Sequence, residues 1–370
     1  MTKHGSWVIR GGRVVDPANG VDATLDVVIT EGVITGVGLD EKLPGATQID
    51  ATGLVVAPGL IDLHVHLREP GFEAKETIGT GTAAAAAGGF TGICCMPNTM
   101  PALDSPSVLR ELHQLISRDG RVRVWPIASI TKGRLGAEVV DFEALVATGA
   151  IGFSDDGDTT ANSQIMREAL EASRALDVPV MVHCEDKALA VGSMNEGAFS
   201  RELDLAGIPA EAEEIIIARD LLLARLTGGW LHICHVSTGR GARMVQQAKA
   251  EGIRVSAEVM PHHLVMDAGW VAGRRRLWNT DEPDGPAPVA VPDPQAKVNP
   301  PLRTSDDTVA LLAALRDGTF DVVATDHAPH AEPEKAGSQF LNAAFGMSGL
   351  ELALPTMLAL VRAGHISMVD

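Results

Sequence analysis

Strand–helix alternation over residues 58–370 is the feature that most limits how this chain can fold. Apolar runs alternate with amphipathic stretches such as SQIMREALEASRAL at 163–176 and EAEEIIIARDLLLARL at 211–226. The pattern predicts strands at 60–66, 90–97, 122–129, 150–156, 179–185, 231–237, 254–263 and 321–330. Apolar strands of this kind are typical of a parallel sheet covered on both faces, and eight β/α units favour a closed (β/α)8 TIM-like barrel. An open, doubly wound sheet is the alternative, but no G-x-G-x-x-G motif follows the first strand.

The first 56 residues have a different pattern. β-branched runs such as WVIRGGRVVD and DVVITEGVITGV are separated by glycine, Asp-Pro and Asn-Gly, and no good helix pattern precedes residue 76. Short runs with turn residues between them predict a small antiparallel sheet. We therefore expect an α/β chain with two domains, an accessory β-sandwich part over residues 1–56 and the barrel over residues 57–370.

Composition narrows the class of protein. The net charge of −18 argues against a nucleic-acid or anionic-membrane surface, so an anionic substrate would need a local positive site. No apolar run reaches the roughly 18 residues of a membrane span, and the N-terminus has no apolar signal core. The four cysteines, at 94, 95, 184 and 234, lie in apolar runs, which predicts reduced, buried thiols. We expect a soluble cytoplasmic protein.

Side chains that bind metals collect at the C-terminal ends of the predicted strands. Nine of the 12 histidines fall in the eight strand segments. The residues at these ends are His64, His66, Asn98, Asp155, Asp156, His183, Glu185, His235, His262, His263, Asp326, His327 and His330. Each one alone has an ordinary explanation, such as a hydrogen-bonded histidine or an aspartate that caps a helix. Together on one rim, where barrel enzymes carry their catalytic residues, imidazoles and carboxylates predict a zinc site.

Spacing leaves two choices open within this set. His232 and His235 are three residues apart, so on a strand they face opposite ways. We favour His235, which is nearer the strand end, and expect His232 to be buried and structural. Asp155 and Asp156 are adjacent, so one points in and the other out, and spacing alone does not say which.

The motifs also resemble those of a known family in order and spacing. They are PGLIDLHVHLREPG, MPNT, FSDDG, VHCED, MNEGA, CHVST, PHH, KVNPPLR, ATDHAPH and FGMSGLE. They resemble the amidohydrolase superfamily and specifically the class I dihydroorotases, over essentially the whole chain. The resemblance implies zinc-dependent, reversible cyclisation of N-carbamoyl-L-aspartate to (S)-dihydroorotate and water, the third step of de novo pyrimidine (UMP) biosynthesis.

The resemblance also implies roles for individual residues. The implied ligands of one or two zinc ions per subunit are His64, His66, Asp156, His183, His235 and Asp326. Asp326 is implied to be the catalytic acid and base as well. The implied substrate contacts are His66, Arg68, Asn98, Asn299, His330 and the backbone of Phe345 and Gly346.

Arg68 distinguishes among relatives of this kind. Dihydroorotate carries a carboxylate that a guanidinium can bind in bidentate fashion, whereas hydantoinases and dihydropyrimidinases act on neutral rings. Those enzymes also resemble one another in a carbamylated lysine at the end of strand four, where this chain reads FSDD. Allantoinase is disfavoured for the same two reasons.

The resemblance also implies assembly partners, and the chain differs from the family pattern at two places. The resemblance implies a homo-oligomer and admits aspartate transcarbamoylase as a partner. A non-catalytic homologue that serves only as such a partner is an alternative, disfavoured because all six ligand positions are filled. The insertion at 268–295 is longer than the family's usual connection, and we expect it to form a surface loop. The sequence stops at Asp370 before the segment that returns to the small sheet, so we expect the C-terminal part of the sandwich to be missing.

Overall fold

The computed structural model describes residues 5–38, 43–274 and 291–369. The chain divides into two compact units. One comprises the residues up to Leu60 together with those from Leu360 onward, and the other comprises Ile61–Ala359.

The first unit contains a five-stranded sheet. Its strands are β1 (Trp7–Asp16), β2 (Val21–Thr30), β3 (Val33–Val37), β4 (Thr47–Asp50) and β5 (Val55–Val56). β1 pairs antiparallel with β2, and β2 with β3, as predicted. β4 and β5 instead pair parallel to β1, so the prediction of an antiparallel sheet is wrong for them. The sheet order is β3-β2-β1-β4, so the chain crosses after β3 to the other side of β1 and β4 runs in the same direction as β1.

The second unit is built from short parallel strands. They are β6 (Leu60–Val65), β7 (Phe90–Cys95), β8 (Arg123–Pro126), β9 (Val180–Val182), β12 (Leu231–Ile233), β13 (Val255–Val259) and β14 (Val322–Val323), with a separate pair, β10 (Met194–Asn195) and β11 (Gly207–Ile208). They form two sheets, β6-β7-β8 and β14-β13-β12-β9. Single parallel bridges join Ala128 to Phe153, Phe153 to Val180, and Val65 to His327. The path of pairing that begins at β6 therefore returns to β6.

All eight predicted strands are shorter in the structure than in the sequence pattern, and in three of them a local contact or backbone turn explains the difference. In the predicted fourth strand, at 150–156, only Phe153 pairs, because the next residues turn to place Asp155 on the amide groups of Ile130 and Thr131. The seventh ends at residue 259, because Pro261 begins a helix that contains His262 and His263. The eighth keeps two paired residues and the bridge at His327, since Asp326 adopts a left-handed backbone, φ 47°.

Helices follow most of the strands. They are α1 (Ile78–Ala87), α2 (Pro106–Asp119), α3 (Phe142–Ala147), α4 (Ser163–Leu176), α5 (Ala198–Glu202), α6 (Glu211–Thr227), α7 (Gly239–Ala250), α8 (Pro261–Val265), α9 (Ser305–Arg316) and α10 (Leu350–Arg362). The helices predicted at 163–176 and 211–226 are confirmed. α7 starts at Gly239, because the Thr238 side chain accepts a hydrogen bond from Gly241 N and caps the helix. Among the described residues, every helix is too short or too polar to cross a membrane.

Only the ends of the predicted surface loop at 268–295 can be compared with the structure, because residues 275–290 lie outside the described ranges. At its start, the guanidinium of Arg274 lies over the ring of Phe199 and pairs with Glu202 at 2.7 Å. These contacts pair Arg274 with two side chains of α5. They also place the start of the insertion against the segment after β9, which contains β10, α5 and β11.

Candidate active site and metal centre

Six imidazole and carboxylate side chains meet just beyond the carboxyl ends of the parallel strands. They are His64, His66, Asp156, His183, His235 and Asp326, and all six are buried. Asp156 lies at the centre. Its Oδ1 is 3.5 Å from Nε2 of His64, 3.5 Å from Nε2 of His235 and 3.7 Å from Nδ1 of His183. The structure thus brings together every side chain that the sequence predicted as a metal ligand.

The spacing of these ligand atoms fits metal ions. Two donors at zinc distances of about 2.0–2.1 Å, arranged tetrahedrally, stand about 3.3 Å apart. Here His66 Nε2 is 3.4 Å from Asp156 Oδ2 and 2.9 Å from Asp326 Oδ1, and His183 Nδ1 is 2.9 Å from His235 Nε2. Among the described residues, three groups of side chains lie close enough together to hold a cation. One comprises His64, His66 and Asp156, one comprises Asp156, His183 and His235, and one comprises His64, Cys234 and Glu258. Asp156 belongs to the first two.

Buried atoms without partners support the same conclusion. His64 Nε2 and Asp156 Oδ1 are buried and have no hydrogen-bond partner. Such atoms are costly unless a ligand binds them. Burial alone would raise the pKa of Asp156, but His64, His183 and His235 hold that pKa well below its usual range. The carboxylate is therefore ionised and available to a cation at neutral pH.

His64 is held from behind by a buried glutamate that the sequence analysis missed. Its Nδ1 is 2.6 Å from Glu258 Oε1, so the N–H donates to the carboxylate and Nε2 is left facing Asp156. Burial would lower the pKa of His64, but Asp156, Glu258 and Asp326 raise it well above 6.5. Glu258 also accepts hydrogen bonds from His235 N and from His232 Nε2. Carboxylates commonly orient metal-binding histidines in this way.

The two open choices from spacing are resolved by long-range contacts. Asp155 Oδ1 accepts from the amides of Ile130 and Thr131, so its carboxylate faces a neighbouring loop. Asp156 faces the imidazoles. His232 is buried and bonded to Ser256 Oγ at 2.8 Å, which confirms the prediction that it is buried.

Two of the six clustered residues have unusual backbone conformations. His235 and Asp326 have φ values of 34° and 47°, in the left-handed region that residues other than glycine rarely adopt. Such conformations cost of order 1–3 kcal/mol each and persist where the surrounding contacts determine them. At His235 the buried residues Ser237 and Thr238 donate to Glu213, which fixes the turn. The local strain aims both side chains at the centre of the site.

A cavity of about 350 Å³ opens directly onto this cluster of imidazoles and carboxylates. All seven residues that the resemblance implied as substrate contacts line it, namely His66, Arg68, Asn98, Asn299, His330, Phe345 and Gly346. Gly157, Glu185 and Lys187 line it as well. His262 and His263, which the sequence also placed at this rim, are buried in α8, where His263 Nε2 contacts Pro300 O at 3.1 Å.

Arg68 lies on one side of this cavity. Its Nε donates to Pro329 O at 3.3 Å, and Nη2 is 3.5 Å from His330 Nε2. His330 Nε2 is closer to Phe345 O, at 2.8 Å, and donates there. Burial lowers the pKa of Arg68 from its usual value, although the guanidinium stays protonated at neutral pH. The arginine therefore presents a fixed positive charge with free N–H groups to the cavity.

Two side-chain amides lie between the histidines and the cavity. Asn98 Oδ1 is 2.8 Å from Nδ1 of His66. Asn299 Nδ2 donates to Glu185 Oε1 at 2.8 Å and lies 3.3 Å from His183 Nε2, which leaves the buried Asn299 Oδ1 without a partner. An unpartnered carbonyl oxygen at this position can accept an N–H from a bound ring.

A cationic pair at the rim was not predicted from the sequence. Lys187 Nζ lies 2.7 Å from Glu185 Oε2 and donates to Gly157 O. Arg134 Nη2 donates to Asp156 O at 2.6 Å and to Asp158 Oδ2 at 2.9 Å. Both cations hold the turn that carries Asp156. Their positions depend on loop conformation, so neither had a signal in the strand pattern, whereas Glu258 did have one as the single acidic residue of the apolar strand VSAEVM.

Comparison with known proteins decides the family. A family model described as "Dihydro-orotase-like" matches residues 53–240. A dihydroorotase from Geobacter sp. (strain M21) is 45% identical over 363 residues, covering 98% of this chain and 81% of the relative. The chain belongs to the dihydroorotase family. A second member, from Pelotomaculum thermopropionicum, is 48% identical over 348 residues, covering 94% of this chain and 77% of that protein. As a member, this chain is a hydrolase that acts on cyclic amides, with dihydroorotase activity.

Solved structures agree on the fold. The L-hydantoinase (dihydropyrimidinase) from Arthrobacter aurescens superposes with a TM-score of 0.82 at 22% identity, over 98% of this chain and 79% of that one. The dihydropyrimidinase from Brevibacillus agri NCHU1002 gives 0.79 at 24% identity, over 98% and 78%. At these identities the likeness concerns the fold alone.

Proposed function

We propose that this enzyme interconverts N-carbamoyl-L-aspartate and (S)-dihydroorotate at the cavity that His66, Arg68 and Asp326 line. The observation that carries the proposal is a fixed guanidinium in the same cavity as a carboxylate-centred cluster of four imidazoles. Dihydroorotate has both features that such a cavity would recognise, a carboxylate and a ring amide. In a chain with a net charge of −18, the guanidinium of Arg68 supplies a local positive charge that favours an anionic substrate.

We propose zinc as the metal, held by His64, His66, Asp326, His183 and His235, with Asp156 shared between two positions. Imidazole nitrogen with carboxylate oxygen is a donor set that suits zinc. Bound zinc would supply Lewis acidity, lowering the pKa of a coordinated water and polarising a carbonyl oxygen. The sharing of Asp156 supports an arrangement for two ions.

Asp326 is the proposed acid and base. Its carboxylate lines the cavity and lies 2.9 Å from His66 Nε2. Burial would raise its pKa, but His64 and His66 hold the pKa well below the usual range, so Asp326 starts each ring opening as a base. In that direction it takes a proton from the attacking water and delivers it to the ring nitrogen as the amide bond breaks. Cyclisation uses the same group in reverse.

Substrate orientation is the proposed role of the remaining cavity residues. Arg68 binds the substrate carboxylate, with Asn98 and His330 beside it. Asn299 Oδ1 accepts an N–H from the ring, and the main chain at Phe345 and Gly346 borders the ring on the other side. A hydantoinase-type activity, suggested by the shapes of the solved structures, is disfavoured because Arg68 would then face a neutral ring and because the turn at 153–156 carries no lysine.

We also propose the overall architecture of the two units. The path of parallel pairing that returns to β6 supports a (β/α)8 barrel for the second unit. The mixed sheet of the first unit supports an accessory β domain. A second sheet that would complete a sandwich, and the domain bounds 1–56 and 57–370, stay predictions. Zinc stoichiometry, a cytoplasmic location, assembly into a homo-oligomer and a transcarbamoylase partner stay predictions.

Replacing Arg68 by methionine tests the carboxylate contact. We expect the KM for dihydroorotate to rise roughly 30-fold, equivalent to about 2 kcal/mol of lost charge-assisted hydrogen bonding, with zinc content unchanged. Dihydrouracil, which is the same ring without the carboxylate, serves as the comparison substrate. Its kcat/KM should be low in the wild type and unaffected by the substitution.

The control is Arg118→Met, which removes an exposed arginine bonded to Asp119 and should leave both substrates unaffected. A wild type that opens dihydrouracil as well as dihydroorotate would contradict the proposed substrate. Loss of zinc in Arg68→Met would show that the arginine is structural.

A further inference from the structure

Two buried lysines lie behind the part of the cavity wall that Phe345 and Gly346 form. Lys297 and Lys335 are 4% and 6% exposed, and lysine is rarely buried to this extent without a specific role. Neither residue is a metal ligand or a proposed substrate contact. Burial lowers the pKa of both, and that of Lys335 to about 8, so each charge needs compensation from the groups around it.

Main-chain carbonyls supply that compensation. Lys297 Nζ donates to the carbonyl oxygens of Phe340 and Leu341, at 2.9 and 3.0 Å. Lys335 Nζ donates to the carbonyl oxygens of Lys297 and Ala344, at 2.6 and 2.9 Å. Each ammonium thus joins chain segments that are separate in sequence, and all four acceptors are backbone groups.

These bonds converge on the cavity wall. The carbonyl of Lys297 accepts a second hydrogen bond from Gly346 N, at 3.0 Å. The ammonium of Lys297 also lies 4.6 Å from the centre of the Phe345 ring, within range of a cation–π contact. Gly346 itself has φ 128°, and a Cβ there would stand 2.7 Å from Ala328 O, so this stretch of backbone has one closely fitted position.

The position of this backbone also determines the direction of a neighbouring side chain. Phe345 O accepts from His330 Nε2 at 2.8 Å, and His330 lies beside Arg68. A shift of the 340–346 segment would therefore move both the ring-facing main chain and the imidazole that borders the carboxylate site. Apolar packing of Phe340 and a hydrogen bond from Ala344 N to Glu334 O, at 2.9 Å, also hold the segment.

We propose that Lys297 and Lys335 are positioning residues that hold the 340–346 segment as a preformed wall of the substrate cavity. The proposal rests on the proposed function, because it takes Phe345 and Gly346 as the substrate-facing backbone. Because the 340–346 backbone is already ordered before substrate binds, less conformational entropy is lost on binding, and the substrate affinity is higher. We call Lys297 and Lys335 together the lysine clamp. The six clustered imidazole and carboxylate side chains have no contact with either ammonium, so metal binding is independent of this clamp.

The test compares Lys335→Met and Lys297→Met with the control Lys249→Met, which removes a lysine bonded to Asp321 on the outside of the molecule. For each clamp variant we expect a roughly tenfold rise in the KM for dihydroorotate, with kcat within about threefold of wild type and unchanged zinc content. Hydrogen exchange followed by mass spectrometry should show faster exchange over residues 340–346. The control should show neither effect.

Two results would overturn the proposal. The first is an unchanged KM and unchanged exchange over 340–346 in both clamp variants. The second is loss of folded, zinc-loaded protein in both, because the lysines would then be general stabilising residues. The exchange measurement needs no substrate, so it tests the clamp even if the wild type fails to open dihydroorotate, which would contradict the proposed function instead.

Discussion

Asp326→Asn should lower kcat for ring opening of dihydroorotate by about a thousandfold, within the range typical of a removed general acid–base group. Asparagine keeps the size of the side chain but cannot take the proton from water or return it to the ring nitrogen. The rate is best measured with zinc in excess, because Asp326 Oδ1 also lies 2.9 Å from His66 Nε2 and the substitution weakens one metal position.

Asp119→Asn is the matched control, since it makes the same chemical change at an exposed carboxylate bonded to Arg118. It should retain wild-type kcat and zinc content. A zinc-loaded Asp326→Asn enzyme with kcat within tenfold of wild type would remove Asp326 from the role of acid and base.

Glu258→Ala should weaken zinc binding by about 10–100-fold, the usual effect of removing a carboxylate that orients a metal-binding histidine. Without Glu258 Oε1, the Nδ1–H of His64 loses its acceptor at 2.6 Å, and Nε2 is no longer directed at the metal position. The substitution also leaves the buried His232 Nε2 without its partner. Competition with a chelator of known affinity measures the change directly and does not depend on activity.

Asp220→Ala provides the comparison for this experiment, because Asp220 is equally buried but pairs with Arg219, away from the cavity. It should leave zinc affinity unchanged, whatever it does to stability. Equal zinc affinity in Glu258→Ala and wild type would mean that packing alone orients His64.

Much of the site followed from the sequence because parallel strands place their carboxyl ends together. His64 and His66 alternate on one strand, and His183, His235 and Asp326 follow three others, so the predicted strands alone put them on one rim. Spacing left Asp155 and Asp156 open, and the family resemblance favoured Asp156. The physical reason is that Asp155 bonds to the amides of Ile130 and Thr131, a contact that spacing does not contain. The role of Glu258 depends on a contact between residues 194 positions apart in the chain.

The fold was predicted in outline and was wrong in detail where local chemistry ended a strand. Pro261 begins α8 where the sequence pattern predicted the end of a strand, so His262 and His263 lie in that helix. The left-handed backbone at Asp326 ended the regular pairing of the predicted eighth strand. The parallel pairing of β4 and β5 with β1 depends on where the chain crosses the sheet, which the run of β-branched residues does not specify.

The most direct test of the central claim is a zinc titration of the metal-free protein, with ring opening of dihydroorotate as the readout. The claim is that four imidazoles and two carboxylates form a metal centre beside a carboxylate-binding arginine. It predicts no turnover without metal and a rise to full activity that saturates at one or two equivalents of zinc. Full turnover by the metal-free protein, or no turnover of dihydroorotate by the zinc-loaded protein, would contradict it.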